Sequence, residues 1–142
     1  MKRILIICIS LLGLIVCSCQ KIGIGREHYL IGTWDVVVTG HISGTFAGSE
    51  IDNTGNLKSL LITFYEDGKG KMVDKKNKRN SSEFTYKYRE IKGIIEYTVN
   101  GKDQTWTVDK LTRDYFLFHS TESTAAMGTI TAEVTYEGRK KE

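Results

Sequence analysis

Residues Ile130-Thr131-Ala132-Glu133-Val134-Thr135-Tyr136-Glu137 alternate strictly between apolar and polar side chains. A strand turns successive side chains to opposite faces, whereas a helix needs apolar residues every three or four positions. The stretch therefore reads as a strand with one buried and one wetted face. The same period recurs upstream. Trp34, Val36 and Val38 alternate with Asp35, Val37 and Thr39, and Phe84, Tyr86 and Tyr88 alternate with Thr85, Lys87 and Arg89. Turn residues separate these runs. Glu66-Asp67-Gly68-Lys69 and Asn100-Gly101 read as hairpins, and Gly93 and Arg113-Asp114 mark further reversals. The pattern predicts strands over 33–46, 58–65, 69–74, 83–90, 93–99, 104–111, 114–120 and 129–137. Gly40 and Gly44 allow the long first strand to bend. With no convincing helix after residue 31, the expected fold is all-β, an antiparallel up-and-down eight-stranded barrel; a β-sandwich is the alternative. Closure into a barrel removes exposed sheet edges. A barrel of eight strands is just wide enough either to be filled by its own side chains or to hold one small ligand.

The chain has 142 residues, 40% hydrophobic and 26% charged, which fits one ordinary globular domain and excludes a disordered chain. Lys2 and Arg3 precede an apolar run from Ile4 to Val16. That run would span about 20 Å as a helix, short of the ~30 Å bilayer core, and reads as a secretory signal. All 3 cysteines, Cys8, Cys17 and Cys19, lie in this leading segment. Val16-Cys17-Ser18-Cys19 resembles a bacterial lipobox, with Cys19 preferred because bulky Val16 would sit at the cut if Cys17 were the acceptor. The resemblance implies a Gram-negative lipoprotein: signal peptide 1–18, a lipidated tether 19–31 starting at Cys19, and a domain over 32–142. The tether has room for one helical turn near Arg26-Glu27-His28-Tyr29. Gln20, rather than Asp, after Cys19 implies sorting to the outer membrane, and the lack of a following acidic cluster implies a periplasmic orientation. Without Lys2 and Arg3 the remainder is nearly neutral, so nothing electrostatic argues for a nucleic-acid partner. With Cys19 lipidated no thiol is left for disulfides, catalysis or metal binding.

Gly32-Thr33-Trp34 at the head of the first strand resembles the Gly-X-Trp signature of lipocalins. Asp114-Tyr115 opens the penultimate strand as in their Thr-Asp-Tyr motif, with Arg113 in place of the Thr, and Arg139 follows the last predicted strand where they carry a basic residue. The domain over 32–142 thus looks like a lipocalin-like, calycin-type barrel of bacterial lipoproteins. The resemblance implies that Trp34 closes the barrel base beneath the guanidinium of Arg139, or of Arg113 as second choice. Such a cation–π contact is worth roughly 0.5–2 kcal/mol.

Phe84, Tyr86, Tyr88, Tyr97, Trp106, Phe116 and Phe118 fall on alternating strand positions. The facing of the last two is open, because Tyr115 and Leu117 are apolar as well. Tyr86, Tyr88, Tyr97 and Trp106 are the candidate ligand-binding residues: apolar rings with a few polar atoms to orient a guest. A filled core accounts for the same residues equally well. Lys69, Lys71, Lys75, Lys76, Lys78 and Arg79 form a basic cluster, read either as a lipid-headgroup contact or as charge blunting an edge strand. The chain carries no Gly-X-Ser-X-Gly elbow and no Walker loop, and His28, His41 and His119 lack metal-binding spacing. Asn80-Ser81-Ser82 matches a glycosylation acceptor, which is idle in a bacterium. No catalytic residue, metal or cofactor is expected. The expected function is a monomeric, membrane-anchored module that binds a small, mostly apolar ligand in the cell envelope. The alternative is a non-catalytic interaction protein with a filled barrel, touching a protein partner through loops near 47–57 and 120–128.

Overall fold

The computed structural model describes residues 26–125 and 128–142. The signal peptide expected over 1–18, Cys19 and most of the tether lie outside the described residues. A short helix α1 (Glu27–Leu30) leads into β1 (Gly32–Phe46), β2 (Ser49–Phe64), β3 (Lys69–Asp74), β4 (Ser81–Arg89), β5 (Ile94–Val99), β6 (Lys102–Leu111), β7 (Tyr115–Thr124) and β8 (Ile130–Lys140). Each strand pairs antiparallel with its neighbours in sequence, and β8 pairs with β1, so the sheet is a closed up-and-down barrel. The sandwich alternative falls away.

The hairpins follow from local chemistry. Asn100 (φ 52°) and Gly101 (φ 73°) sit between paired Val99 and Lys102, the two-residue turn whose twist matches that of the strands. Inward positions carry the core. Trp34, Val36, Ile62, Phe64, Ile95, Trp106, Phe116 and Phe118 are at most 1% exposed. Phe116 and Phe118 both point inward and stack at 4.1 Å, with planes 7° apart; Trp34 lies 4.8 Å from Phe116. Two inward glycines make room for rings. Gly70 lies opposite Phe84 and Gly138 opposite Phe116, and each ring lies flat over its glycine where a Cβ would otherwise stand. The lower barrel is therefore filled. Its strand pairs and core lie within residues 26–142, so this stretch holds a complete hydrophobic core and folds as a unit.

At the other end the wall is uneven. β3 pairs with β2 only as far as Leu60, while β1 and β2 run on to a tight turn at Ala47-Gly48. Residues 49–57, expected as a loop, are strand, paired with β1 except at Leu57, and residues 120–124 are strand paired with β8. Of the expected partner-binding loop 120–128, only the segment after Thr124 remains a connection. The upper parts of β2, β1, β8 and β7 thus form an overhanging sheet. Among the described residues its outer strands have no second partner there, so closure leaves two edges open. β3, by contrast, is paired on both sides, which removes the edge-strand explanation of the lysine cluster.

Candidate binding site at the barrel mouth

The two ends of the barrel differ in chemistry, and the base comes first because the sequence pointed there. The Trp34 indole is fully buried and donates its N–H to the Leu30 carbonyl at 2.8 Å, tying α1 across the barrel end. The cation over its face is Lys140, whose Nζ stands 4.9 Å from the ring and donates to the Tyr29 carbonyl at 2.9 Å. Burial lowers the Lys140 pKa. Arg139, expected in that place, instead lies 5.3 Å from the Tyr115 ring and is largely exposed, and Arg113 lies over Tyr29. Register explains the exchange. Trp34 pairs with Lys140, whereas Arg139 pairs with outward Asp35. Paired residues share a face, so a shift of one position moves a side chain to the opposite side of the wall.

The four candidate ligand-binding residues do not form one cluster. Tyr86 is near the base: its hydroxyl donates to the Tyr65 carbonyl at 2.7 Å. Its pKa is raised to about 12, chiefly by burial and then by Glu27, Asp67 and Glu66. Tyr88 also lies low, with its pKa raised by burial and by Glu90. Trp106 is buried in the middle of the barrel, stacked on Tyr97 with ring centroids 3.8 Å apart. Among the described residues its buried indole N–H has no partner at full hydrogen-bond geometry; the polar group it faces and interacts with is the Tyr136 hydroxyl. Of the four, only Tyr97 lines the hollow at the barrel mouth.

That space is a cup of about 480 Å³ in the barrel mouth. Its inner lining comes from inward positions of the strands: Leu60, Met72, Ser82, Tyr97, Val99 and Tyr136. Lys58, Asp74 and Arg79 stand at the rim. Burial raises the Tyr97 and Tyr136 pKa values, and the Glu122 carboxylate adds to this, so both phenols stay protonated and able to donate at neutral pH. A larger hollow of about 630 Å³ lies beside Tyr65, Lys69 and Thr85, but much of its lining is outward-facing strand surface. The mouth is the concave site because its lining side chains converge. Sequence reading had placed Tyr136 inward without choosing it, and missed Met72, Val99 and Lys140. Periodicity reports which face a residue is on, not its height along the barrel.

No family model matches the chain, and no curated protein matches it. Among solved structures it is similar to a polyisoprenoid binding domain from Saccharophagus degradans implicated in plant cell wall breakdown. The two share 9% identity over 78% of this chain and 99% of that one, with a TM-score of 0.42. The chemistry of the mouth is read from its own residues.

Proposed function

We propose that the protein is a non-catalytic binding module that holds a small, mostly apolar molecule in the barrel mouth. On this reading it is tethered to the periplasmic face of the outer membrane through lipidated Cys19. The observation that carries the binding role is the 480 Å³ cup, large enough for a small ligand and lined by convergent inward side chains. The filled base supports the same placement, since Phe64, Trp106 and Phe116 leave no room for a guest among them. Tyr97 belongs to the site, joined by Tyr136; Tyr86 and Tyr88 act as structural residues of the base, and Trp106 supports the floor. The test is a titration with the neutral, polarity-sensitive dye Nile red. Val99→Trp, which intrudes on the cup, weakens the blue-shifted emission, and Tyr88→Phe leaves it unchanged. Equal dye binding by the wild type and Val99→Trp would refute the placement.

One observation favours a second reading. Among the described residues, 49–57 of β2 present an unpaired edge, onto which an extended segment of a protein partner could add as a further strand.

A further inference from the structure

The overhanging sheet is amphipathic in a way the barrel alone does not require. Its outward positions are polar: His41, Ser43, Thr45, Asp52, Thr54 and Glu133. Its other face continues the barrel interior. From buried Val38 the inward positions of β1 run through Gly40, Ile42 and Gly44 to Phe46. Across the ladder, Gly44 pairs with both Ile51 and Ile130 and Gly40 with Val134, while Ile42 pairs with Ala132 and Asn53 and Phe46 with Ser49. Leu57, at the irregular step in β2, packs directly over Gly40. Ile42, Phe46 and Leu57 remain 45%, 43% and 61% exposed, three of the large exposed apolar side chains gathered on one face. The strip extends about 20 Å above the cup, at ~3.3 Å per residue.

The cup below it is charged at its rim. Lys58 and Arg79 stand at its rim, and neither is paired with a carboxylate among the described residues. Asp74, the rim carboxylate, is tied into its own turn, accepting the N–H groups of Lys76 and Asn77. Glu122 faces inward on β7, in the cross-strand row of Ala132 and Ile42, and its carboxylate acts on Tyr97 and Tyr136. It therefore opposes an anion in the mouth, and Lys58 and Arg79 must outweigh it. A pocket whose rim carries cations unpaired among the described residues thus opens onto a largely apolar ramp.

We propose that the mouth takes an anionic amphiphile head first, with its charged group between Lys58 and Arg79 and its apolar chain lying along the ramp of the overhanging sheet. This rests on the mouth being the binding site. The ramp explains why apolar side chains face the mouth on a sheet whose other side is wholly polar. The cations explain the orientation: a chain buried head outward would leave Lys58 and Arg79 unused and the ramp bare. The phenol hydroxyls of Tyr97 and Tyr136 supply neutral donors on the floor.

The experiment uses a chain beginning at Gln20, which lacks Cys19 and contains every described residue. The probe is cis-parinaric acid, compared with its methyl ester and displaced by octanoate, laurate and palmitate at pH 8. The acid binds about ten-fold more tightly than the ester, as two partly exposed ion pairs would give, and the preference shrinks at high salt. Lys58→Met with Arg79→Met removes the preference, and Glu122→Gln increases it. Affinity rises about two-fold per methylene, half of the roughly four-fold of complete burial. Ile42→Asp, at an exposed position the fold does not need, abolishes that rise while circular dichroism stays unchanged. Equal binding of acid and ester, or no dependence on chain length, overturns the head-first arrangement and leaves the mouth as the site. A chain that binds no probe, Nile red included, overturns the binding function itself. Concentration-dependent dimerisation abolished by Ile42→Asp, without probe binding, overturns the proposal by assigning the ramp to a second copy.

Discussion

Replacing Gly138 by Ala probes the filled lower barrel directly. A Cβ at this position would stand 2.4 Å from Cε1 and Cζ of Phe116, so the ring must move. The ring cannot move freely: Phe116 is fully buried, stacked on Phe118 at 4.1 Å and packed against Trp34 at 4.8 Å. Overpacking a tight core costs about 1–3 kcal/mol, and disturbing the aromatic pairs about 0.5–1.5 kcal/mol more. Alanine returns ~0.4–1 kcal/mol by restricting the unfolded chain. The net expectation is a loss of about 2 kcal/mol, or a fall in Tm of about 8 °C for a domain of this size. The assay is urea unfolding followed by tryptophan fluorescence, with Gly55→Ala as control. Gly55 has no atom within 4 Å of a new Cβ and no left-handed φ, so its substitution should be neutral or slightly stabilising. Phe116→Leu added to Gly138→Ala should recover part of the loss, a coupling that independent sites would not show. The reasoning is refuted if Gly138→Ala unfolds at the same urea concentration as Gly55→Ala.

Other consequences are equally open to measurement. Lys140→Met loses a bond to the Tyr29 carbonyl and the cation over Trp34, and should cost about 1–2 kcal/mol, whereas Arg139→Met should change stability by less than ~0.5 kcal/mol; urea midpoints of the two variants decide. Trp34→Phe removes the donor to the Leu30 carbonyl and should loosen α1, seen as faster amide exchange over residues 27–31 at a cost of about 1 kcal/mol or more. Tyr86, Tyr97 and Tyr136 have folded pKa values raised above the usual 10.0, so above that pH the folded state holds more protons than the unfolded state. Their contribution is complete below about pH 10 and is lost as pH rises further; Lys140, whose pKa is lowered, acts in the opposite sense. Urea midpoints should therefore fall above pH 10, and less steeply in Tyr97→Phe.

The strand count, the closed barrel and the inward face of β1, β4 and β8 were legible because alternation with period two is a local signal. Trp34 was legible as an inward residue for the same reason, and its place at the base came from the Gly-X-Trp resemblance. What escaped has identifiable causes. The β1–β2 hairpin closes on Ala47 with φ 50°, a conformation alanine rarely adopts and the sequence does not announce. The strand after it is rich in Ser, Asn, Asp, Thr and Gly, a loop composition, and only its pairing with β1 makes it a strand. Lys140 was missed in favour of Arg139 because the strand was ended early, and a register error of one residue reverses the facing. Tyr86 and Tyr97 look alike in sequence, and even pair with each other across β4 and β5, yet one hydroxyl reaches the base and the other the mouth. Barrel shear and side-chain direction decide this, and neither is written in the periodicity of a single strand.

Native mass spectrometry of the protein purified from its host is the most direct test of whether the mouth holds a guest. The account predicts a small non-covalent adduct that is released on unfolding and is reduced in the Val99→Trp variant prepared in the same way. A bare polypeptide mass from both, or an adduct retained equally by Val99→Trp, would contradict it.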